Sequence, residues 1–418
     1  MQKISSMQIE KTDVLVIGAG PSGTVAASLV KKNGLNAVIV EKQKFPRFVI
    51  GESLLPRCMV HLEDAGLLDA IKTQGFQEKF GAKFLKDDKM CDFNFSEQFT
   101  DGWKWTWQVP RAKFDKALAD ETEKKGVSIY YETGVVDVQM NGTNSLTMVE
   151  DANGNKRQIE AKFIIDSSGY GRVLPNLFDL NKPSNFPARK TLFAHVKDVR
   201  RPDNIDGNRI TIIAHHTDVW IWVIPFSDGI TSLGFVGNNW FFENFTGSNE
   251  VQYRNIIEDC EHLRERFKDI ELVFEPRTIE GWSISVKQFY GDGYALTGNS
   301  SEFLDPVFSS GVTFATESGA VAAKLACRQI KGEKVDWEKD FSQHMKQGVD
   351  TFRSYVAGWY DGTLQDIFFS PKVDLNIKKQ ICSVLAGYVW DMDNPFVKKH
   401  NRVIGNLAHL VKMEAGAI

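Results

Sequence analysis

Asp13-Val14-Leu15-Val16-Ile17-Gly18-Ala19-Gly20-Pro21-Ser22-Gly23 is the stretch of this 418-residue chain that decides its fold. The first five residues form a short apolar run with no polar face, the pattern of a strand covered on both sides of a parallel sheet. Three glycines follow, then small residues from Thr24 to Lys32 with helical character, then a second apolar strand, Ala37 to Val40, ending in Glu41. Glu41 lies 23 positions after Gly18, close to the ~20 expected between a G-x-G-x-x-G turn and the acid that holds a ribose. The glycines allow a tight turn and close approach of the backbone to a pyrophosphate, which sits at the helix N-terminus behind Pro21 and Ser22. Strand, turn, helix, strand and acid in register specify a Rossmann-type dinucleotide site, with Glu41 and neighbouring Lys42 at its ribose end.

Composition narrows the rest. The chain exceeds the usual single-core limit, so two or three domains are expected. A hydrophobic share of 42% and a charged share of 25% are those of an ordinary globular protein. A net charge of −4 leaves no electrostatic footprint for nucleic acid. No window reaches the ~18 uninterrupted apolar residues of a membrane helix, and Val14 to Val30 is broken by its glycines and Pro21. The start, Met1 to Lys11, is polar and lacks an apolar signal-peptide core. Five scattered cysteines without CxxC spacing fit reduced thiols and a cytoplasmic location. Adjacent His215 and His216 point to opposite faces of a strand, so no metal site is expected.

Further along, Ala112 to Lys125 reads as a helix and Ser128 to Met140 and Ser145 to Glu150 as strands. Asp151 to Asn155 reads as a hairpin turn. Phe163 to Asp166 and Tyr294 to Gly298 are buried strands. Phe193 to Val236 alternates like an antiparallel sheet. Glu250 to Phe267 reads as a helix followed by a strand near Glu271, and Val312 to Ile330 as a long helix. From Trp337 onward the pattern is helical. The expected fold class is α/β: a discontinuous Rossmann-type FAD-binding domain (residues 1–78, 106–175 and 276–332), an inserted, mostly antiparallel substrate domain (79–105 and 176–275), and a C-terminal helical region (333–418).

Several segments carry a family resemblance. Gly51-Glu52-Ser53-Leu54-Leu55-Pro56, Arg111-x-x-Phe114-Asp115 and Asp166-Ser167-Ser168-Gly169 are similar to the flavin-contacting segments of the para-hydroxybenzoate hydroxylase-like flavoproteins. Gly298-Asn299 stands where that family usually has Gly-Asp. Asn299 departs from the pattern but still offers a donor and an acceptor. The resemblance implies bound FAD, held by Gly18, Gly20, Pro21, Ser22, Gly23, Glu41, Lys42, Gly51, Glu52, Ser53, Arg111, Asp166, Gly169, Gly298 and Asn299.

Three features resemble the flavin-dependent halogenases, of the phenol or pyrrole type, in particular. Trp220-Ile221-Trp222-Val223-Ile224-Pro225 matches their WxWxIP signature, and the resemblance implies that Trp220 and Trp222 screen the flavin from substrate. Alternation puts Trp220, Trp222 and Ile224 on one strand face and Val219, Ile221 and Val223 on the other. Both faces are apolar, so the strand should be buried on both sides. A near copy, Trp105-Thr106-Trp107-Gln108-Val109-Pro110, reads as an ordinary strand leading to Arg111. Phe303-Leu304-Asp305-Pro306-Val307-Phe308-Ser309-Ser310-Gly311 matches the FxxPxxSxG motif. Its Pro306, Ser310, Gly311 and Val312 are implied flavin contacts at a helix N-terminus, with halide at Ser310 and Gly311. Phe308 stands where tryptophan halogenases carry a catalytic Glu. In Gly75 to Phe84, the family's essential lysine falls on Lys79, whereas Lys72, Lys83, Lys86 and Lys89 read as solvated charges.

The resemblance implies that a separate reductase supplies reduced FAD, and that dioxygen and halide give hypohalous acid. Lys79 then presents electrophilic halogen to an aromatic small molecule, with a form tethered to an acyl carrier protein left open. Two alternatives keep the same fold: an FAD-dependent monooxygenase or geranylgeranyl-reductase-like dehydrogenase, and a flavin-binding protein without turnover. Only one GxGxxG occurs, so no separate NADPH domain is expected.

Overall fold

The computed structural model describes residues 9–184, 186–216, 218–372 and 374–414. Most of the polar start (residues 1–8) and the last four residues of the expected C-terminal region lie outside them.

Two sheets organise the chain. The first is eight-stranded around a parallel core in the order Tyr294–Leu296, Lys156–Asp166, Ile9–Ile17, Ala37–Val40 and Ser128–Tyr130. Val14, Leu15, Val16, Ile39, Phe163, Ile164 and Ile165 are fully buried, as strands covered on both faces must be. The helices Pro21–Lys32 and Ser310–Ile330 pack on each other over this sheet. A hairpin, Thr133–Asn141 with Asn144–Asp151, extends it along the first half of Lys156–Asp166.

The second sheet has seven strands in the order Arg277–Glu280, Lys190–Lys197, Ile230–Gly237, Val219–Pro225, Thr211–His216, Gly81–Lys86 and Lys89–Asn94. All neighbours are antiparallel except Thr211–His216 against Gly81–Lys86. The expected alternation in Val219–Pro225 is realised. Trp220, Trp222 and Ile224 join Phe193, Ile212 and Val236 in the main core. Val219, Ile221 and Val223 join Leu192, Phe235 and Tyr253 in a second core under the helices Asn249–Asp259 and Glu261–Phe267. No helix among the described residues is long and apolar enough to cross a membrane.

Local expectations need four corrections. The helix expected over Glu250 to Phe267 is interrupted at Cys260, whose extended backbone (ψ 111) ends one helix and starts the next. The strand expected from Ser128 to Met140 breaks where Glu132 turns left-handed (φ 52), which no periodicity signals. Near Glu271 there is only an isolated bridge, Val196 with Leu272. Arg277–Glu280, assigned to the FAD-binding domain, hydrogen-bonds to the edge of the second sheet instead.

Candidate active site

The dinucleotide turn is built by backbone geometry. Gly18 has φ +100, and a Cβ there would lie 2.5 Å from the Ser167 carbonyl oxygen. A Cβ on Gly23 would meet Gly18 O at 1.9 Å. Both glycines are therefore demanded by the fold itself. Gly20 is different: its Cβ would meet only the end of Arg47, at 3.5 Å. The open space beside it is what a pyrophosphate needs, and the helix behind it has no side-chain cap on its first amides. Glu41 accepts from Ala19 N and Gln43 N, both at 2.9 Å, which ties its carboxylate to the turn and leaves further acceptor sites. These features fit FAD.

Arg111 donates twice to Asp115 and also to the carbonyls of Ile50 and Gly51, so it fixes the Gly51-Glu52-Ser53 segment. Asp166 accepts from Ser168 N and Leu174 N. Its carboxylate pins the Ser167-Ser168 turn that lies against Gly18. Asn299 accepts from Arg172 Nη1 through its backbone carbonyl, at 3.3 Å. Lys42 is exposed beside the ribose end.

Lys79 is far from a solvated surface group. It is 3% exposed, and its Nζ donates to Ser53 Oγ at 2.8 Å and Leu54 O at 2.7 Å. Its strand, Gln77–Lys79, pairs with Thr106–Gln108, so the near-copy segment holds the lysine. Burial lowers its pKa from 10.5 to about 7, partly opposed by Cys58. Near neutral pH the uncharged amine is accessible; its two N–H donors are those given to Ser53 and Leu54, and its lone pair is the group left to react. The neighbouring lysines are not equivalent. Lys83 is half-buried and 3.8 Å from Asp206, so the expectation of a solvated charge fails there. Lys89 is exposed.

Trp220 Nε1 donates to Tyr360 Oη at 2.8 Å, and Trp222 Nε1 to Ser232 Oγ at 3.0 Å. Trp222 lies over Gly234 so closely that a Cβ there would be 2.2 Å from the indole. Tyr360 Oη in turn donates to Asp305 Oδ2 at 3.0 Å. Burial raises the Asp305 pKa, against the lowering charge of Arg189. Behind Pro306 and Phe308, Ser309 is left-handed (φ 57) and the helix Ser310–Ile330 begins without a side-chain cap. Its first amides, at Ser310, Gly311 and Val312, are available to an anion. Phe308 is buried against Tyr355 and Trp359, which leaves no carboxylate at that position.

Sequence reading missed three participants. Tyr360 comes from the C-terminal helix His344–Tyr360, and Arg189 from the approach to Lys190–Lys197. His195 Nε2 lies 2.6 Å from Glu52 Oε1, which places Glu52 in a buried pair. Their partners Asp305 and Glu52 lay within quoted motifs. Among the described residues no group of three His, Cys, Asp or Glu side chains could hold a metal.

The family model for an FAD binding domain matches residues 11–265. The 1H-pyrrole-2-carbonyl-[peptidyl-carrier protein] brominase of Pseudoalteromonas luteoviolacea (strain 2ta16) is 29% identical over 338 residues, 80% of this chain and 81% of that protein. The crystal structure of a flavoprotein/dehydrogenase from Cytophaga hutchinsonii matches with TM-score 0.95 and 62% identity, covering 97% of this chain and all of that one. The myxobacterial chondrochloren halogenase CndH matches with TM-score 0.74 and 27% identity, over 97% of each chain.

Proposed function

The chain belongs to the FAD-binding-domain family and, within it, to the flavin-dependent halogenases, and on that premise we propose that it halogenates an electron-rich aromatic ring, a phenol or a pyrrole. Bound FAD, reduced by a separate reductase, supplies with dioxygen the oxidising power that turns halide into hypohalous acid. The chain's residues do the rest. The uncapped amides at Ser310 and Gly311 hold halide, Trp220 and Trp222 wall the route, and Lys79 holds the oxidant by hydrogen bonding or as a haloamine. The observation that carries this reading is the burial of the Lys79 amine between Ser53 and Leu54, which lowers its pKa to about 7. A solvated lysine, almost wholly protonated in the neutral range, offers the oxidant far less free amine. A carrier-tethered substrate is supported by the pyrrole brominase relative, and a cytoplasmic location by five free, buried cysteines.

A dehydrogenase is the second reading, favoured by the 62% identical flavoprotein/dehydrogenase. One experiment separates the two. The protein is incubated with FAD, an external flavin reductase, chloride or bromide, and a panel of phenols and pyrroles, and products are read by mass spectrometry. Halogen isotope patterns in the products support the proposal. Rapid NADPH oxidation by the protein alone, with no halogenated product, overturns it.

A further inference from the structure

Arg189 lies at the end of the second sheet's tryptophan face that meets the C-terminal helices. Its carbonyl accepts from Gly281 N, which fixes the backbone, and the residue is 8% exposed. The guanidinium carbon stands 3.3 Å from the centroid of the Tyr360 ring. The Nε is buried with no hydrogen-bond partner. Among the described residues the Arg189 side chain makes no hydrogen bond and no ion pair. A buried Nε–H left unspent is costly, and the rest of the rigid five-donor fork is likewise without a protein partner among the described residues. Other buried arginines here spend theirs: Arg111 on Asp115, Ile50 and Gly51, and Arg172 on Asn181, Asn299 and Ser285.

The surroundings say what would use these donors. Tyr360 offers its ring face to Arg189, while its hydroxyl is engaged by Trp220 and Asp305 and so is held in place. Asp305 is 2% exposed and accepts from Val307 N and Tyr360. It tempers the Arg189 charge from beyond ion-pairing distance without occupying the fork. Trp220, which donates to Tyr360, and Trp282, which donates to Asp305, form with Tyr360 an aromatic wall to the neighbourhood.

We propose that Arg189, braced on Tyr360, is an oxyanion subsite that orients the aromatic substrate through a carboxylate or phenolate oxygen on its ring. The fork donates to that oxygen while the ring lies along the aromatic wall. Because Asp305 offsets part of the charge, the subsite takes a singly charged oxyanion and rejects a dianion. This rests on the halogenase reading for the identity of the ligand as substrate, but its test needs no turnover.

Isothermal titration calorimetry of the FAD-loaded protein compares 4-hydroxybenzoate with its neutral isostere 4-hydroxybenzamide. The visible absorbance of 4-nitrophenol reports whether a phenolate binds. At least a tenfold preference for one of the two oxyanion forms is expected: for the benzoate if the carboxylate is recognised, for nitrophenolate over nitrophenol if the ring oxygen is. Arg189→Met should erase that preference. Tyr360→Phe, which keeps the ring beneath the guanidinium, should retain it. Equal or undetectable binding of charged and neutral forms, a preference that survives Arg189→Met, or equally tight binding of phenyl phosphate would overturn the proposal. Absence of the preference in the wild-type protein with halogenation intact sinks the subsite alone. An intact preference without halogenated product keeps the subsite and sinks the functional reading.

Discussion

Trp105-Thr106-Trp107-Gln108-Val109-Pro110 and Trp220-Ile221-Trp222-Val223-Ile224-Pro225 are near copies in sequence, yet they do different things in the fold. The second is a seven-residue strand, Val219 to Pro225, buried throughout between two cores. The first is a three-residue strand whose partner is Gln77–Lys79. Trp103, Trp105 and Trp107 contact one another edge-on, from a half-buried ring at Trp103 to a buried one at Trp107. The two segments are also joined. Gln108 is fully buried; its Nε2 donates to Pro225 O at 2.5 Å, and its Oε1 accepts from Ile210 N. The segment that reads as an ordinary strand thus holds Lys79 on one side and the end of the tryptophan strand on the other. A tryptophan spacing does not define a role; the strands paired to it do.

That comparison can be broken in order of expected effect. Gly234→Val drives a side chain into the Trp222 indole, and overpacking there should cost about 3 kcal/mol. Among the described residues no glycine lies against the Trp107 indole in this way, so the loss belongs to the second segment alone. A calorimetric melt at unchanged activity and stability would show that Trp222 can be repacked. Gln108→Leu strips the link between the segments and leaves Pro225 O and Ile210 N unsatisfied, at about 2 kcal/mol. Urea unfolding measures it, and a change below about 0.5 kcal/mol would mean that the tie is not needed.

An effect of comparable size concerns protonation. Lys79 titrates at about 7 in the fold against 10.5 ordinarily. Between those values the unfolded chain binds a proton that the folded chain does not, so this group's stability contribution rises with pH. It is lowest below pH 7, where both states are charged. The slope approaches about 1.4 kcal/mol per pH unit well inside the window. Wild type should therefore gain stability relative to Lys79→Met from pH 7 to 9, read by urea unfolding. Parallel profiles would mean that the amine is solvated. Least affected of all, Trp105→Phe should change stability by under about 1 kcal/mol, because its half-buried ring keeps an aromatic partner on each side.

How much of this was written in the chain follows from distance along it. The dinucleotide turn was legible because strand, glycines, helix and Glu41 lie within one local unit whose residue types are forced by backbone geometry. The two-faced burial of Val219 to Pro225 was legible because alternation is a local property. The parallel pairing of Gly81–Lys86 with Thr211–His216 was not, since it joins segments more than a hundred residues apart. Nor was the Trp220–Tyr360–Asp305 chain, which depends on where the C-terminal helix docks. Lys79 stood between the two cases. Its motif marked it, but its burial depends on the strand from Thr106 to Gln108 and on the Ser53-Leu54 segment.

The most direct test of the account sits on that lysine. Wild type, Lys79→Ala, Lys79→Arg and the exposed control Lys89→Ala are each loaded with FAD, supplied with reductase and halide, and assayed for halogenated product by mass spectrometry. The account predicts unchanged FAD binding in all four and product from wild type and Lys89→Ala. Lys79→Ala and Lys79→Arg should each lose at least about 100-fold, because neither offers an amine that can become neutral near pH 7. Full product from Lys79→Ala, or equal loss in Lys89→Ala, would contradict it.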